Sequence, residues 1–113
     1  LTEVSGVHLA SGADLTGYEI HIGETTGPDT QNGWVEIAGA RVGAASHNRR
    51  IQGCYLHGLF TADDFRQAFL TQLGAAPAPQ DYNASVETTL DALADHLEAH
   101  MDVDGLLSKA ADV

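Results

Sequence analysis

The change from strand-like to helix-like sequence falls at residues 53–60, which read Gly53-Cys54-Tyr55-Leu56-His57-Gly58-Leu59-Phe60. An apolar, strand-like run ends there in a single histidine between glycines, just before a predicted helix. The imidazole of His57 is a candidate proton carrier, because its unperturbed pKa lies near neutrality and α/β folds expose catalytic side chains where strands end. A histidine is more often a hydrogen-bonded structural residue, but the flanking glycines allow close approach to the ring and favour a site.

The composition restricts the classes of function. The chain has 113 residues, which suits one small domain or part of one. Sixteen acidic residues against five lysines and arginines give a formal net charge of −11, which repels nucleic-acid backbones and anionic lipid headgroups. The longest apolar runs fall far short of the roughly 20 residues that span a bilayer. We therefore expect a soluble, cytoplasmic chain with no nucleic-acid or membrane partner and, since Leu1 is not a natural initiator, a piece of a longer protein.

One segment before residue 57 alternates regularly between apolar and polar side chains. It reads Gly17-Tyr18-Glu19-Ile20-His21-Ile22-Gly23. The period of two predicts a half-buried strand with its three apolar residues on one face. Glu19 and His21 then share the other face.

Turn-forming residues divide the rest of this half into short elements. Residues 24–33 have the composition of a loop, and a hairpin is predicted about Ala38-Gly39. A second turn over residues 46–49 precedes a strand over residues 51–56. The first half of the chain is therefore predicted to be rich in strands.

After residue 60 the apolar residues recur at helical spacing. A helix is predicted from about Ala62 to Leu73, with the Thr61 hydroxyl as a candidate N-cap and Gly74 as the C-cap. Residues 75–80 contain two prolines and form a linker. A second amphipathic helix is predicted over residues 84–100, with Val86, Leu90, Leu93, Ala94 and Leu97 on its apolar face, and a short helix about Leu106-Leu107 follows. The fold class is therefore α/β, with short strands followed by two or three helices.

A general base needs a nucleophile, and Cys54 is the only thiol in the chain. Residues three apart in a strand point to opposite faces, so Cys54 and His57 are not expected to share a hydrogen bond. Cys54 is predicted to be a small buried hydrophobe. If His57 is catalytic, its partner lies outside this chain.

A metal site is the main competing chemistry. His96 and His100 lie one helical turn apart, a spacing that can hold a metal ion. The order is not His-Glu-x-x-His and no third ligand is evident, so an exposed polar helix face is the more common explanation. No metal ligand is predicted, and no phosphate-binding Gly-x-x-x-x-Gly-Lys loop is present in the sequence.

Four segments, in order, resemble the C-terminal part of cobyric acid synthases, a family of glutamine-dependent amidases. They are residues 17–23 and 53–60, quoted above, then Asp64-Phe65-Arg66-Gln67-Ala68-Phe69-Leu70 and Leu90-Asp91-Ala92-Leu93-Ala94-Asp95-His96-Leu97-Glu98. The combination of the first two segments is specific. Enzymes that amidate lipid II share a similar Tyr-x-His element but typically carry other residues at positions 18–21.

The resemblance implies a fold and a reaction. Residues 1–113 would be the C-terminal portion of a flavodoxin-like class I (triad-type) glutamine amidotransferase domain, strand-rich over residues 1–60 and helical over residues 61–113. A cysteine from a missing upstream half would attack glutamine, and His57 would act as general base and then acid. ATP and Mg²⁺ would bind in a missing N-terminal synthetase domain, which amidates peripheral carboxylates of adenosylcobyrinic acid a,c-diamide. The chain itself would need no cofactor and would be inactive alone.

The family resemblance also nominates supporting residues. Most triad amidotransferases carry a glutamate two residues after the histidine, whereas this chain has Leu59 there. Glu19 is a candidate orienting group, with the alternative that Glu19 and His21 bond to loop backbone and hold the strand. His21 and Tyr55 are predicted to contact the substrate.

Other classes of function stay open at this point. One is an acidic docking module without catalysis. A second is a histidine-based metal binder at His96 and His100. A third is a related amidotransferase that acts on another carboxylate, of the lipid II type.

Overall fold

A computed structural model describes residues 1–110. They form two compact units, Leu1–Gln80 and a second that begins at Asp81. The boundary falls at the end of the predicted linker 75–80. The first unit contains two β-sheets, one α-helix and two short 3₁₀ helices, and the described part of the second is helical.

The strands of the first unit are short and antiparallel. Within the described residues they are β1 Thr2–His8, β2 Asp14–Glu19, β3 Val35–Ile37, β4 Ala40–Val42, β5 Ala44–Ala45, β6 Gln52–Gly53 and β7 Leu56–His57. One sheet has the order β4-β3-β1-β2-β7, and β5 pairs with β6 in a second, two-stranded sheet. The α/β class is confirmed, with an antiparallel sheet.

Three α-helices and two short 3₁₀ helices complete the described part of the chain. The α-helices are α1 Asp63–Gln72, α2 Tyr82–His100 and α3 Val103–Ala110. The 3₁₀ helices are Pro28–Gln31, inside the predicted loop, and Leu59–Thr61, between β7 and α1. None of the helices described is both long enough and apolar enough to cross a membrane.

The prediction for residues 17–23 was wrong in its bounds and in its buried face. β2 begins at Asp14 and ends at Glu19, because its ladder with β1 runs from Val7↔Asp14 to Thr2↔Glu19. Leu15 faces the core, whereas the three apolar residues of the predicted face, Tyr18, Ile20 and Ile22, are exposed. Packing of Leu15 in the core therefore decides which face of the strand is buried.

The predicted strand over residues 51–56 is two separate strands. β6 pairs with β5, whereas β7 pairs with β2 in the larger sheet. The Trp34 indole Nε1–H donates to the Gly53 carbonyl at 3.0 Å, which ties β6 to the core. The chain changes partner strands at Cys54 and Tyr55, so a single strand cannot pass through them.

Local turn chemistry was predicted more accurately. The β3–β4 hairpin turns at Ala38 and Gly39, whose φ angles of 50° and 79° are both positive, as a tight hairpin turn of the primed type requires. The second turn is closed by Ser46, whose backbone N–H donates to Ile51 O at 2.9 Å and whose carbonyl accepts the Arg49 N–H at 2.8 Å.

The helix predictions are confirmed within one or two residues at most ends. Gly74 has a φ of 84° and follows α1, and the Ala75 N–H closes the helix end on Leu70 O at 3.0 Å. The N-cap prediction was wrong, because the Thr61 hydroxyl donates to Gly58 O at 2.8 Å and the cap position is Ala62. α2 begins at Tyr82 because the Asp81 side chain accepts the Ala84 N–H.

The apolar face predicted on α2 is not covered in the described residues. Its four large side chains are between 37% and 52% exposed: Val86, Leu90, Leu93 and Leu97. Buried hydrophobic residues occur in the first unit instead, namely Leu15, Trp34, Val35, Ala45, Leu56 and Phe65. The core of the first unit is therefore small and largely set by two aromatic rings.

A histidine lies inside this core. His8, at the end of β1, is 1% exposed and contacts the edges of Trp34 and Phe65, with ring centroids 5.8 and 5.2 Å away. Its Nδ1 lies 2.8 Å from the Ser11 hydroxyl, whose oxygen also accepts the Ala13 N–H. Burial lowers the pKa of His8, and the positive charge of Arg49 lowers it further. The ring is therefore neutral near pH 7.

We expect the first unit to lose stability below pH 6.5, the ordinary pKa of histidine. In that range the unfolded chain binds a proton at His8 that the folded chain does not. His8 therefore has little effect on the free energy of unfolding above pH 6.5. As the pH drops below 6.5, this free energy falls by at most about 1.4 kcal/mol per pH unit, until the pH reaches the pKa of His8 in the folded chain. Urea denaturation between pH 7.5 and 5, followed by the fluorescence of Trp34, measures this slope.

His8→Phe is expected to flatten that pH dependence, because the ring is replaced by one that does not titrate. His47→Ala, at an exposed turn, is the matched control and keeps the parental slope. The same slope in His8→Phe and in the parent chain would contradict the assignment to His8.

Candidate active site

His57 lies at the edge of the sheet. It pairs with Tyr18 of β2, is exposed, and ends β7, which is the last strand in the sheet order. Gly58 follows with a φ of 78°, in the left-handed region that glycine adopts without strain, and turns the chain into the 3₁₀ helix. The Thr61 N–H and hydroxyl both donate to Gly58 O, at 2.8 Å each. An exposed imidazole is thus held between a strand and a closed turn.

A second group of polar side chains lies beside the start of β7. The rings of His21 and Tyr55 stack, with centroids 4.2 Å apart and planes 14° from parallel. His21 Nε2 is 3.4 Å from Glu19 Oε1, and its Nδ1 is 2.9 Å from the Gly23 carbonyl. The Tyr55 hydroxyl is hydrogen-bonded to the hydroxyl of Thr25. We call these four side chains (Glu19, His21, Thr25 and Tyr55) the His21 cluster.

Of the two alternatives for Glu19 and His21, a bond to loop backbone is the one that has a contact in the described residues, and His21 makes it. The two side chains meet, and His21 also bonds to the loop carbonyl of Gly23. The contact does not come from strand alternation, because β2 ends at Glu19 and His21 lies beyond the strand, just before the bend at Ile22 and Gly23.

The ladder separates Glu19 from His57. Glu19 pairs with Leu56, whose side chain is buried, whereas His57 pairs with Tyr18 and is exposed. Neighbouring residues of a strand face opposite sides of the sheet. The structure therefore brings together Glu19, His21 and Tyr55, and it leaves His57 on the face of Tyr18.

Cys54 has the surroundings of a packing residue. It is partly buried and packs against the core. Burial raises the pKa of its thiol, an effect only partly opposed by a hydrogen bond with the Leu56 backbone. A raised pKa reduces the thiolate fraction that a nucleophile needs, which supports the prediction that Cys54 is not the reactive cysteine.

Two clefts open near these residues. One of about 470 Å³ is lined by Thr25, Arg41, Cys54 and Tyr55, among others, and so adjoins the His21 cluster. The other, of about 660 Å³, has apolar walls that include Trp34, Leu56 and Phe60. His57 is exposed and is not among the residues that line either cleft.

Histidines elsewhere do not form a metal site. His96 and His100 lie with ring centroids 4.3 Å apart on α2. Among residues 1–110, however, no three His, Cys, Asp or Glu side chains are grouped so as to hold a metal ion.

The sequence analysis did not predict that His8 is buried, although Val4, Gly6 and His8 alternate along β1 and share the inward face.

The first unit is therefore an α/β unit that presents an exposed histidine at a strand end, and its cysteine is a packing residue. Residues 1–65 match the family of the CobB/CobQ-like glutamine amidotransferase domain. The chain belongs to this family.

Curated relatives agree with the resemblance noted in the sequence. The chain is 61% identical to a cobyric acid synthase of Cereibacter sphaeroides, 53% identical to that of Bradyrhizobium diazoefficiens and 51% identical to that of Rhodobacter capsulatus. Each match covers 97% of this chain and 23% of the relative. The chain thus spans about a quarter of the length of these relatives. No solved structure matches it.

Proposed function

We propose that this chain works as the C-terminal part of the glutaminase domain of a cobyric acid synthase, with His57 as its proton carrier. The observation that carries the proposal is the position of His57, an exposed imidazole held at a strand end by the Gly58 turn. The similarity to cobyric acid synthases over 97% of the chain supports the same assignment.

The proposed reaction needs one proton relay from this chain. A cysteine thiol from another part of the complete synthase gives its proton to His57 and attacks the side-chain amide carbon of glutamine. The imidazolium then returns the proton to the leaving nitrogen, ammonia departs, and a thioester remains. Water hydrolyses the thioester, His57 takes a proton from that water, and glutamate and the thiol are released.

The His21 cluster is the proposed substrate contact. Tyr55 and Thr25 line the cleft of about 470 Å³, and the ring of His21 stacks on that of Tyr55. Glu19 holds His21 from one side and the Thr25 hydroxyl holds Tyr55 from the other. We therefore propose that His21 and Tyr55 bind the substrate. Glu19, proposed from the sequence to orient His57, would act first on the His21–Tyr55 stack, because its contact is with His21.

The rest of the reaction is assigned elsewhere in the complete synthase. Ammonia would be used by a synthetase domain that binds ATP and Mg²⁺ and amidates peripheral carboxylates of adenosylcobyrinic acid a,c-diamide. We propose that this chain itself needs no cofactor. No step of this chain runs through ATP or Mg²⁺. We also propose a flavodoxin-like architecture for the complete glutaminase domain and a cytoplasmic location.

The proposal is tested by comparing the pure 113-residue chain with the complete synthase that contains it. We expect the complete synthase to amidate its corrinoid substrate with either glutamine or ammonia, and the isolated chain to release no glutamate from glutamine. The physical reason is that no activated thiol accompanies His57. Glutamate release by the isolated chain above the blank, or a complete synthase that uses neither nitrogen source, would contradict the proposal.

A further inference from the structure

Gly17 lies in the middle of β2, between two neighbouring strands. It pairs with Val4 of β1 and is buried. A Cβ atom added at Gly17 would lie 2.6 Å from the carbonyl oxygen of His57 and 3.2 Å from Leu56 Cδ2. Real Cβ atoms essentially never come within 3.0 Å of another heavy atom in this way. Because Gly17 is not among the glycines with positive φ, the need for glycine here is one of space and not of backbone conformation.

The strand that would yield to such an atom is β7. β2 is fixed by six register pairs with β1, whereas β7 has only two residues and pairs with β2. Within the described residues β7 has no strand on its other side, because it ends the sheet order. An added methyl group must therefore push β7 outward until the 2.6 Å contact reaches at least about 3.0 Å.

We propose that Gly17 is a positioning residue for His57. The missing side chain lets β7 close against β2, and this close approach sets where the imidazole stands relative to the reacting thiol and amide. The inference rests on the proposed function, because it concerns the geometry of that reaction. Proton transfer depends steeply on such geometry, and a misplacement of about 1 Å can cost about a hundredfold in rate.

The test is Gly17→Ala in the complete synthase, with glutamine and with free ammonia as the nitrogen source. We expect the kcat with glutamine to fall about 10- to 100-fold, while the kcat with ammonia stays within about twofold, since ammonia bypasses His57. KM for glutamine is expected to change less than kcat, because Gly17 is buried and does not line the cleft beside the His21 cluster. A general loss of folded protein would lower both activities together.

Gly6→Ala is the matched control. A Cβ at Gly6 would also meet a neighbouring backbone carbonyl, that of Glu36 on β3, at an even closer distance. The strain is of the same kind and in the same sheet, but it acts on the side of β1 away from β7. We expect Gly6→Ala to keep the ratio of glutamine-dependent to ammonia-dependent activity.

A stabilised background keeps the test informative if Gly17→Ala folds poorly. Ala38→Asn reduces the backbone strain at the exposed β3–β4 turn, because asparagine adopts a positive φ more readily than alanine does. This turn lies at the opposite edge of the sheet from β7. The same pair of activities is then measured in that background, together with the Cα position of His57 in a crystal structure of the variant.

The outcomes separate the two proposals. If the His57→Ala variant of the synthase keeps both activities, the proposed function is overturned. If His57→Ala removes only the glutamine-dependent activity, but Gly17→Ala leaves the activity ratio unchanged or matches Gly6→Ala, the positioning role alone is wrong. A selective loss with an outward shift of β7 in Gly17→Ala supports it.

Discussion

Replacing His57 with alanine in the complete synthase is expected to abolish glutamine-dependent amidation while largely sparing amidation supplied with free ammonia. Alanine removes the group proposed to take and return the proton, but it leaves untouched the proposed synthetase domain, which would use ammonia. A positioned general acid and base contributes on the order of 10²- to 10⁴-fold in rate, so the glutamine-dependent rate should fall by about that factor. Parallel assays with glutamine and with ammonia measure the loss of each activity separately.

The control for this variant is His47→Ala. His47 is also an exposed histidine in a tight turn, and it belongs neither to β7 nor to the His21 cluster. We expect both activities to survive in His47→Ala. Equal loss of both activities in His57→Ala would instead make His57 a structural residue and remove the basis of the proposed function.

His57→Gln adds a second test of the same prediction. Glutamine keeps a polar side chain that hydrogen-bonds at a similar reach but cannot carry a proton at neutral pH. We expect it to lose glutamine-dependent activity as fully as alanine does. A glutamine variant that retained most of the parental rate would point to hydrogen bonding, and not proton transfer, as the role of this position.

Local signals predicted those parts of the fold that depend on few residues. The Ala38-Gly39 turn, the end of α1 at Gly74 and the start of α2 near Asp81 each follow from backbone needs within four or five residues. The buried face of β2 did not follow in this way. It depends on Leu15 meeting a core that Trp34 and Phe65 bring from far along the chain.

The candidate site shows the same division between local and distant causes. The position of His57 at a strand end before a glycine turn was predicted from the sequence, because both features are local. The stack of His21 on Tyr55 requires that β2 pair with β7, residues nearly forty positions apart, and a single sequence carries no direct signal of that register. The importance of Gly17 cannot be predicted without the same strand register, because its lack of a side chain matters only where the carbonyl of His57 lies against it.

Removal of the Phe65 ring is expected to cause the largest loss of stability in the first unit. Phe65 is fully buried on α1, and its ring centroid lies 5.2 Å from that of His8, 6.2 Å from that of Trp34 and 5.3 Å from that of Phe60. Phe65→Ala removes these contacts and leaves a cavity, which typically costs about 3–5 kcal/mol. Urea denaturation followed by Trp34 fluorescence measures the loss.

Phe60→Ala is the matched control, because it removes the same ring from the same aromatic group at a position that is 48% exposed. We expect its cost to be well below that of Phe65→Ala, since part of its ring is already in water. Equal costs would mean that the core is not organised around Phe65.

Phe65→Ala is also expected to loosen the turn that holds the imidazole. The reason is that α1 contacts the 3₁₀ helix Leu59–Thr61, which directly follows His57 and Gly58. Faster hydrogen exchange at the Thr61 N–H, which donates to Gly58 O, reports that loosening.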